Sequence, residues 1–303
     1  MKPDRILRRL RAELRFTGLA AWRGLGELFN SNDLTHAAAI AYYSLLSFFP
    51  FLLLLILILG SVAGREEDRI TVLTFVFRYF PVEVVDFVSR QLDALMMSET
   101  RVRGGVAGAL ALIWASLGVF GAVTSAVNEA WGVEKQRSFW KHRLVSFLML
   151  VAAGIVTIAA LFLLSAMDVA EASWFYGVLS RFEWLQALRT LTADYLATIL
   201  LIIGVGLVFY FIPNARTRFR DVWVGAVLTG VLWRLAFDGF SWYVRTNSQL
   251  TKIHGSIAAV VIFLLWIYVS AIILMYGVEF TAGYARLRRR RPEEMPAAPT
   301  PRT

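Results

Sequence analysis

The stretch Leu45–Gly60, LLSFFPFLLLLILILG, carries no charged residue, and it lies inside a longer apolar segment from Ala37 to Ala63. Five more such segments follow: Gly104–Val127, Leu144–Met167, Leu191–Ile212 closed by Pro213, Val222–Val244 and Ile257–Gly283. About 20 helical residues cross the roughly 30 Å of hydrocarbon in a bilayer, so each segment is long enough to span. Backbone groups in lipid must pair within their own segment, and the two-residue alternation of a barrel is absent from the sequence, so helices are the expected form. The sequence predicts an all-α, polytopic membrane protein with six transmembrane helices.

A length of 303 residues alone would fit one or two soluble domains, but a hydrophobic share of 58% in long uncharged runs overrules that reading. No cysteine is present, which excludes disulfides, thiolate nucleophiles and cysteine metal sites. The first apolar run begins near Ala37, too late and too long for the apolar core of a cleaved signal peptide. It reads as an uncleaved signal-anchor, and the expected destination is a bacterial plasma (inner) membrane.

Orientation follows from the Lys and Arg count in the loops. The segment before the first span holds seven, the loop after the second span four, the loop after the fourth three and the C-terminal segment six, 20 together. The opposite loops hold six, two and two, and the six in the first loop are outnumbered by seven acidic residues. This bias predicts both termini in the cytoplasm. It also accounts for most of the net charge of +9, so nucleic acid is not an expected partner.

Three regions are expected. Residues 1–35 form a basic amphipathic segment, with Ile6, Leu10, Leu14, Trp22, Leu25 and Phe29 at helical spacing among arginines. Such a helix either lies on anionic lipid or packs on the protein's own loops. Residues 36–284 are the transmembrane domain. Its outer loop, 64–103, carries two short amphipathic patterns, Ile70/Leu73/Phe77/Phe80 and Val82/Val85/Val88/Leu92/Leu95. Residues 285–303 are an arginine cluster followed by Pro-rich sequence, expected to be disordered.

Motifs for chemistry are missing. His36, His142 and His254 are isolated from one another, and no H-E-x-x-H array, Walker loop, G-x-G-x-x-G or G-x-S-x-G is present. No catalytic residue, metal site or cofactor is assigned, and the chain is not expected to be an enzyme.

Polar residues inside the spans need a reason, since each charge costs about 2.5–3.5 kcal/mol at mid-depth on insertion scales. Arg234 and Asp238 lie four residues apart near the middle of the fifth span and share a helix face. They read either as an intramembrane polar site or as an ion pair that locks the bundle. Pro50, at similar depth in the first span, frees the Leu46 carbonyl, and Ser44 and Ser47 are placed to satisfy it. Arg234, Asp238, Ser44, Ser47 and Pro50 together form the candidate intramembrane site. Broken helices at the midplane mark many transporter sites, and a packing kink is the alternative. At the cytoplasmic ends of the second and sixth spans, Asn128, Glu129 and Glu279 form a candidate mouth. Gly104/Gly108, Gly121/Ser125 and Ala226/Gly230 have the four-residue spacing of close helix contacts.

Four stretches in this order resemble the YihY/BrkB family of bacterial inner-membrane proteins: AAAIAYYSLLSFFPFLLLL, GVFGAVTSAVNEAWGV, FIPNARTRFRDVWVGAVLTGVLW and HGSIAAVVIFLLWIYVSAIILMYGVEFTAG. The resemblance runs from about residue 15 to 290 and implies six spans with cytoplasmic termini. His254 stands where members of that family often carry Tyr. The family's older ribonuclease BN-like label implies a nuclease, for which this sequence offers no His/Asp cluster. The expected function is envelope transport or lipid handling, driven by a gradient or a partner since no ATP site is present. Membrane lipids are the expected partners and a lipid or other amphiphile the expected substrate. A non-transporting scaffold or assembly factor is the alternative.

Overall fold

The computed structural model describes residues 3–63, 89, 105–133, 138–172, 198–215, 217–246 and 249–290. Every regular element among them is an α-helix, and the protein is an all-α polytopic membrane protein. The seven helices are α1 (Pro3–Asn30), α2 (Asp33–Ala63), α3 (Gly105–Ala130), α4 (Phe139–Ala172), α5 (Thr198–Phe211), α6 (Phe219–Thr246) and α7 (Gln249–Arg290). Five of them, α2, α3, α4, α6 and α7, are long and apolar enough to cross a membrane. The shorter α5 falls within the expected fourth span, whose first residues lie outside the described ones. The expected outer-loop helices between 64 and 103, residue 89 apart, also lie outside them.

The connections show why the helices stop where they do. Ser31 and Asn32 separate α1 from α2. The Ser31 N–H donates to the Glu27 carbonyl at 2.8 Å, and the Ser31 hydroxyl accepts from the Asp33 N–H at 3.3 Å. Asp33 then places an acid in the first turn of α2, where the helix dipole favours it. Helix α3 ends on Gly132 in the left-handed region (φ 67°). The Gly132 N–H donates to Glu129 at 2.8 Å and the Val133 N–H to Asn128 at 3.0 Å, the paired bonds of a Schellman cap. Helix α5 stops just short of Pro213, which disfavours helical geometry in the residue before it.

Helix α7 is the hub, packing on α1, α2, α3 and α6, while α3 also packs on α2 and α4. At about 1.5 Å per residue its 42 residues run about 60 Å, roughly twice the hydrocarbon thickness. One buried cluster joins six helices through Leu28, Ile40, Val127, Phe209, Val222 and Met275, and Met149 brings α4 against it. Lipid is as apolar as these side chains, so close fit rather than water exclusion holds the helices together. The α6–α7 contact shows that fit. Gly225 of α6 opposes Thr281 of α7, and Gly277 of α7 opposes Thr229 of α6. Further along the same pair, Trp266 meets Trp233 at 5.2 Å, Phe237 at 5.6 Å and Phe240 at 5.2 Å between ring centroids.

Helix α1, the C-terminus of α3, the N-terminus of α6 and the C-terminus of α7 gather at one end of the bundle, here called the basic end. Gly24 of α1 sits against the Phe280 backbone, Arg286 donates to the Ala130 carbonyl at 3.1 Å, and Arg288 meets Asp221 at 2.7 Å. These bonds correct the expected boundary of the tail. Helix α7 continues past residue 284 to Arg290 because its arginines have partners on two other helices. Ala20, Gly24 and Leu28 bury one face of α1 against the bundle, while Trp22 (76% exposed) and Phe29 point away from it.

Candidate functional site

Between α4 and α5 lies a cavity of about 420 Å³, within the roughly 300–1,000 Å³ usual for small-molecule sites. Its walls include Ala152 and Val156 of α4 and Leu200 and Gly204 of α5, with Phe120 of α3 and Trp233 of α6 closing it. The lining is almost wholly apolar. Its hydroxyl, that of Thr157, is spent on the Ala153 carbonyl at 2.8 Å. A Cβ added at Gly204 would meet nothing within 4 Å, so this glycine widens the cleft. The flanking surface is apolar as well, with Leu148, Val151 and Ile155 exposed on α4 and Ile199 and Ile203 on α5.

A second cavity of about 210 Å³ adjoins the first, sharing Leu201, Val205 and Trp233 as common wall. It lies among α2, α5, α6 and α7, and its lining includes three hydroxyl-bearing residues, Ser44, Thr229 and Ser270. The Trp233 indole N–H donates to the Ser270 hydroxyl at 3.1 Å. Ser270, as acceptor, keeps its own proton to offer a ligand. Thr229 donates to the Gly225 carbonyl at 2.8 Å, and its oxygen packs against Gly277. An apolar cleft thus adjoins a smaller, mostly apolar chamber that carries three hydroxyl-bearing residues, with one indole between them.

The five residues of the expected intramembrane site are spread over four places. Ser44 lines the chamber. Ser47 is buried against α3, where its hydroxyl donates to the Ala115 carbonyl at 2.9 Å and accepts from the Val119 N–H at 3.3 Å. Those two groups are the ends of one rung of the α3 ladder, so Ser47 serves α3 and not the carbonyl freed by Pro50. Gly118 makes this approach feasible, since a Cβ there would stand 3.1 Å from the Ser47 oxygen. Pro50 lies half-buried within a continuous α2. Arg234 and Asp238 pair at 3.4 Å on a face of α6 directed out of the bundle.

At the basic end, Glu129 accepts from or pairs with His36 at 2.8 Å, and both lie within electrostatic reach of Asp33. Glu279 is also within reach of Asp33, with Arg286 and Glu27 nearby. Two of the three expected mouth residues therefore converge through Asp33, which sequence spacing did not single out. Asp33 is 2% exposed, and its Oδ2 has no hydrogen-bond partner. Asn128 turns elsewhere. Its Oδ1 accepts from the Asn214 N–H at 2.9 Å and its amide donates to the Thr124 carbonyl at 2.8 Å, bracing the α5–α6 connection. Among the described residues, no group of three or more His, Asp or Glu side chains is placed to hold a metal ion.

Known proteins similar to this chain agree with its membrane character. It is 26% identical to the ribonuclease-like protein YfkH of Bacillus subtilis (strain 168) over 90% of this chain and 98% of that one. It is 26% identical to a UPF0761 membrane protein of Cronobacter sakazakii over 86% of this chain and 87% of that one. It is 28% identical to UPF0761 membrane protein VV0203 of Vibrio vulnificus (strain YJ016) over 86% and 80% respectively. No solved structure matches it. Residues 27–301 match the family described as Virulence factor BrkB, nearly the whole length, and the chain belongs to that family of membrane proteins.

Proposed function

We propose that this protein handles a membrane amphiphile, taking an acyl chain into the cleft between α4 and α5 and the polar end of the same molecule into the chamber behind Trp233. The observation that carries the reading is the junction of the two cavities. An apolar groove bordered by lipid-facing side chains shares a wall with a space lined by Ser44, Thr229 and Ser270. A soluble solute would have no use for the apolar part, and a packing defect would have no reason to carry the hydroxyls. In this reading the protein sits in the bacterial inner membrane with its basic end in the cytoplasm, as the charge bias favours. It performs no chemistry of its own. Transport is driven by a gradient or a partner, since no nucleotide-binding motif is present in the sequence. The ribonuclease-like name of the Bacillus relative finds no support in the three separated histidines.

Gly204→Phe tests the reading. The site has free space for a side chain, and replacing a helical glycine favours the helix, so the variant should accumulate normally. In native membranes a phospholipid bearing a photoreactive acyl chain should label the wild-type peptide containing Ala152–Thr157, and Gly204→Phe should lose that labelling several-fold. Unchanged labelling at normal abundance would sink the proposal. Stable co-purification of partner proteins in that event would favour a scaffold.

A further inference from the structure

Helix α6 has one face directed out of the bundle along its whole length. Phe219, Trp223, Val227, Val231 and Leu235 are all exposed and recur every four residues, and Trp242, two turns further on, is exposed as well. Facing acyl chains, such a stripe needs no partner. Arg234 and Asp238 do not fit it. They lie within the stripe with side chains 46% and 58% exposed, and at about 1.5 Å per residue both stand within about 10 Å of the helix midpoint. A charge at that depth is expensive, and the intrahelical pair at 3.4 Å leaves about half of each side chain uncovered.

We infer that this face of α6 is the interface with a second copy of the same chain. A twofold axis along the membrane normal brings the two stripes together in parallel, at equal depth and with the same orientation in the membrane. Each Arg234 then lies within one helical turn of the other copy's Asp238, and the four charges close into a ring away from lipid. A twofold interface is self-complementary when a surface carries both members of a pair, and this one does. An unrelated partner would have to present an opposite pair at the same depth, whereas a second copy presents it by construction. The apolar residues above and below supply the flanking contact.

The chain has no cysteine, so introduced cysteines report on the contact alone. Leu235→Cys, oxidised in native membranes, should give a covalent dimer several-fold more abundant than Ile155→Cys, a control on the exposed face of α4. Two chains of opposite design provide the second arm. Arg234→Asp makes the site doubly acidic and Asp238→Arg makes it doubly basic, so differently tagged versions should pair with each other in preference to themselves. Cross-linking of Leu235→Cys at the Ile155→Cys level would overturn the inference. So would random pairing of the two charge variants when both reach wild-type abundance.

Discussion

Gly225 and Gly277 each face a threonine on the opposite helix, and both lie in a Gly-x-x-x-Thr sequence, GAVLT and GVEFT. Each threonine folds its hydroxyl back onto the glycine carbonyl one turn earlier, Thr229 to Gly225 at 2.8 Å and Thr281 to Gly277 at 2.6 Å. The methyl and hydroxyl then fill the space that the opposing glycine leaves. A Cβ at either glycine would overlap the threonine, so Gly225→Ala and Gly277→Ala should each cost about 1–3 kcal/mol through overpacking. Gly239→Ala, on the same helix but with nothing within 4 Å of the added Cβ, should be neutral or stabilising by up to about 1 kcal/mol. Thermal midpoints of the purified proteins in detergent decide the matter. Equal midpoints for Gly225→Ala and Gly239→Ala would show that the two helices do not approach so closely. The sequence spacing found the Ala226/Gly230 pair, and Gly230 indeed meets Ile202 of α5. It missed the Gly/Thr clasp because small residues mark a close approach without identifying what approaches. Arg234 shows the same limit. Its depth is legible in the hydropathy, but the direction it faces depends on where Trp233 and Gly230 pack.

At the scale of elements, the apolar runs located the helices, to within about five residues for the first, second, third and fifth, since the need to pair backbone groups in lipid leaves few other solutions. The ends were less legible because tertiary partners set them. The end of α7 is the clearest case. A run of arginines reads as a solvated tail, yet Arg288 reaches the buried Asp221 carboxylate at 2.7 Å and Arg286 caps the last turn of α3. Removing one member of a buried pair leaves an uncompensated charge, at about 3–5 kcal/mol. Arg288→Ala should fall at the lower end of that range, because Asp221 lies in the first turn of α6 and keeps the favourable helix dipole. The double variant Asp221→Asn/Arg288→Ala should recover much of the loss, since no buried charge then remains. A double-mutant cycle on thermal midpoints measures the coupling. Equal losses in the single and double variants would mean that the pair does not anchor α7.

For the whole molecule, the decisive feature is that the ends grouped by the loop charges also meet in space. Helix α1, the end of α3, the start of α6 and the end of α7 form the basic end. The charge count compares loops without knowing how the spans pack, so agreement with the packing is independent support for an even number of crossings between the two chain ends. The candidate cavities were far less legible. Each is walled mostly by ordinary apolar positions on four helices, and only Ser44 had been singled out. Which side the basic end occupies is a matter of membrane energetics. Each Lys or Arg near an anionic cytoplasmic leaflet is worth about 1 kcal/mol, and α1 adds the outward-facing Trp22 and Phe29, the residue types that settle at the lipid–water boundary. Single cysteines in the cysteine-free chain test the orientation. Gly26→Cys, exposed on α1 with open space around it, should react with a membrane-impermeant maleimide only after intact cells are permeabilised. Thr246→Cys, exposed at the far end of α6, should react before permeabilisation. The reverse pattern would place the basic end outside and overturn the orientation that the loop charges favour.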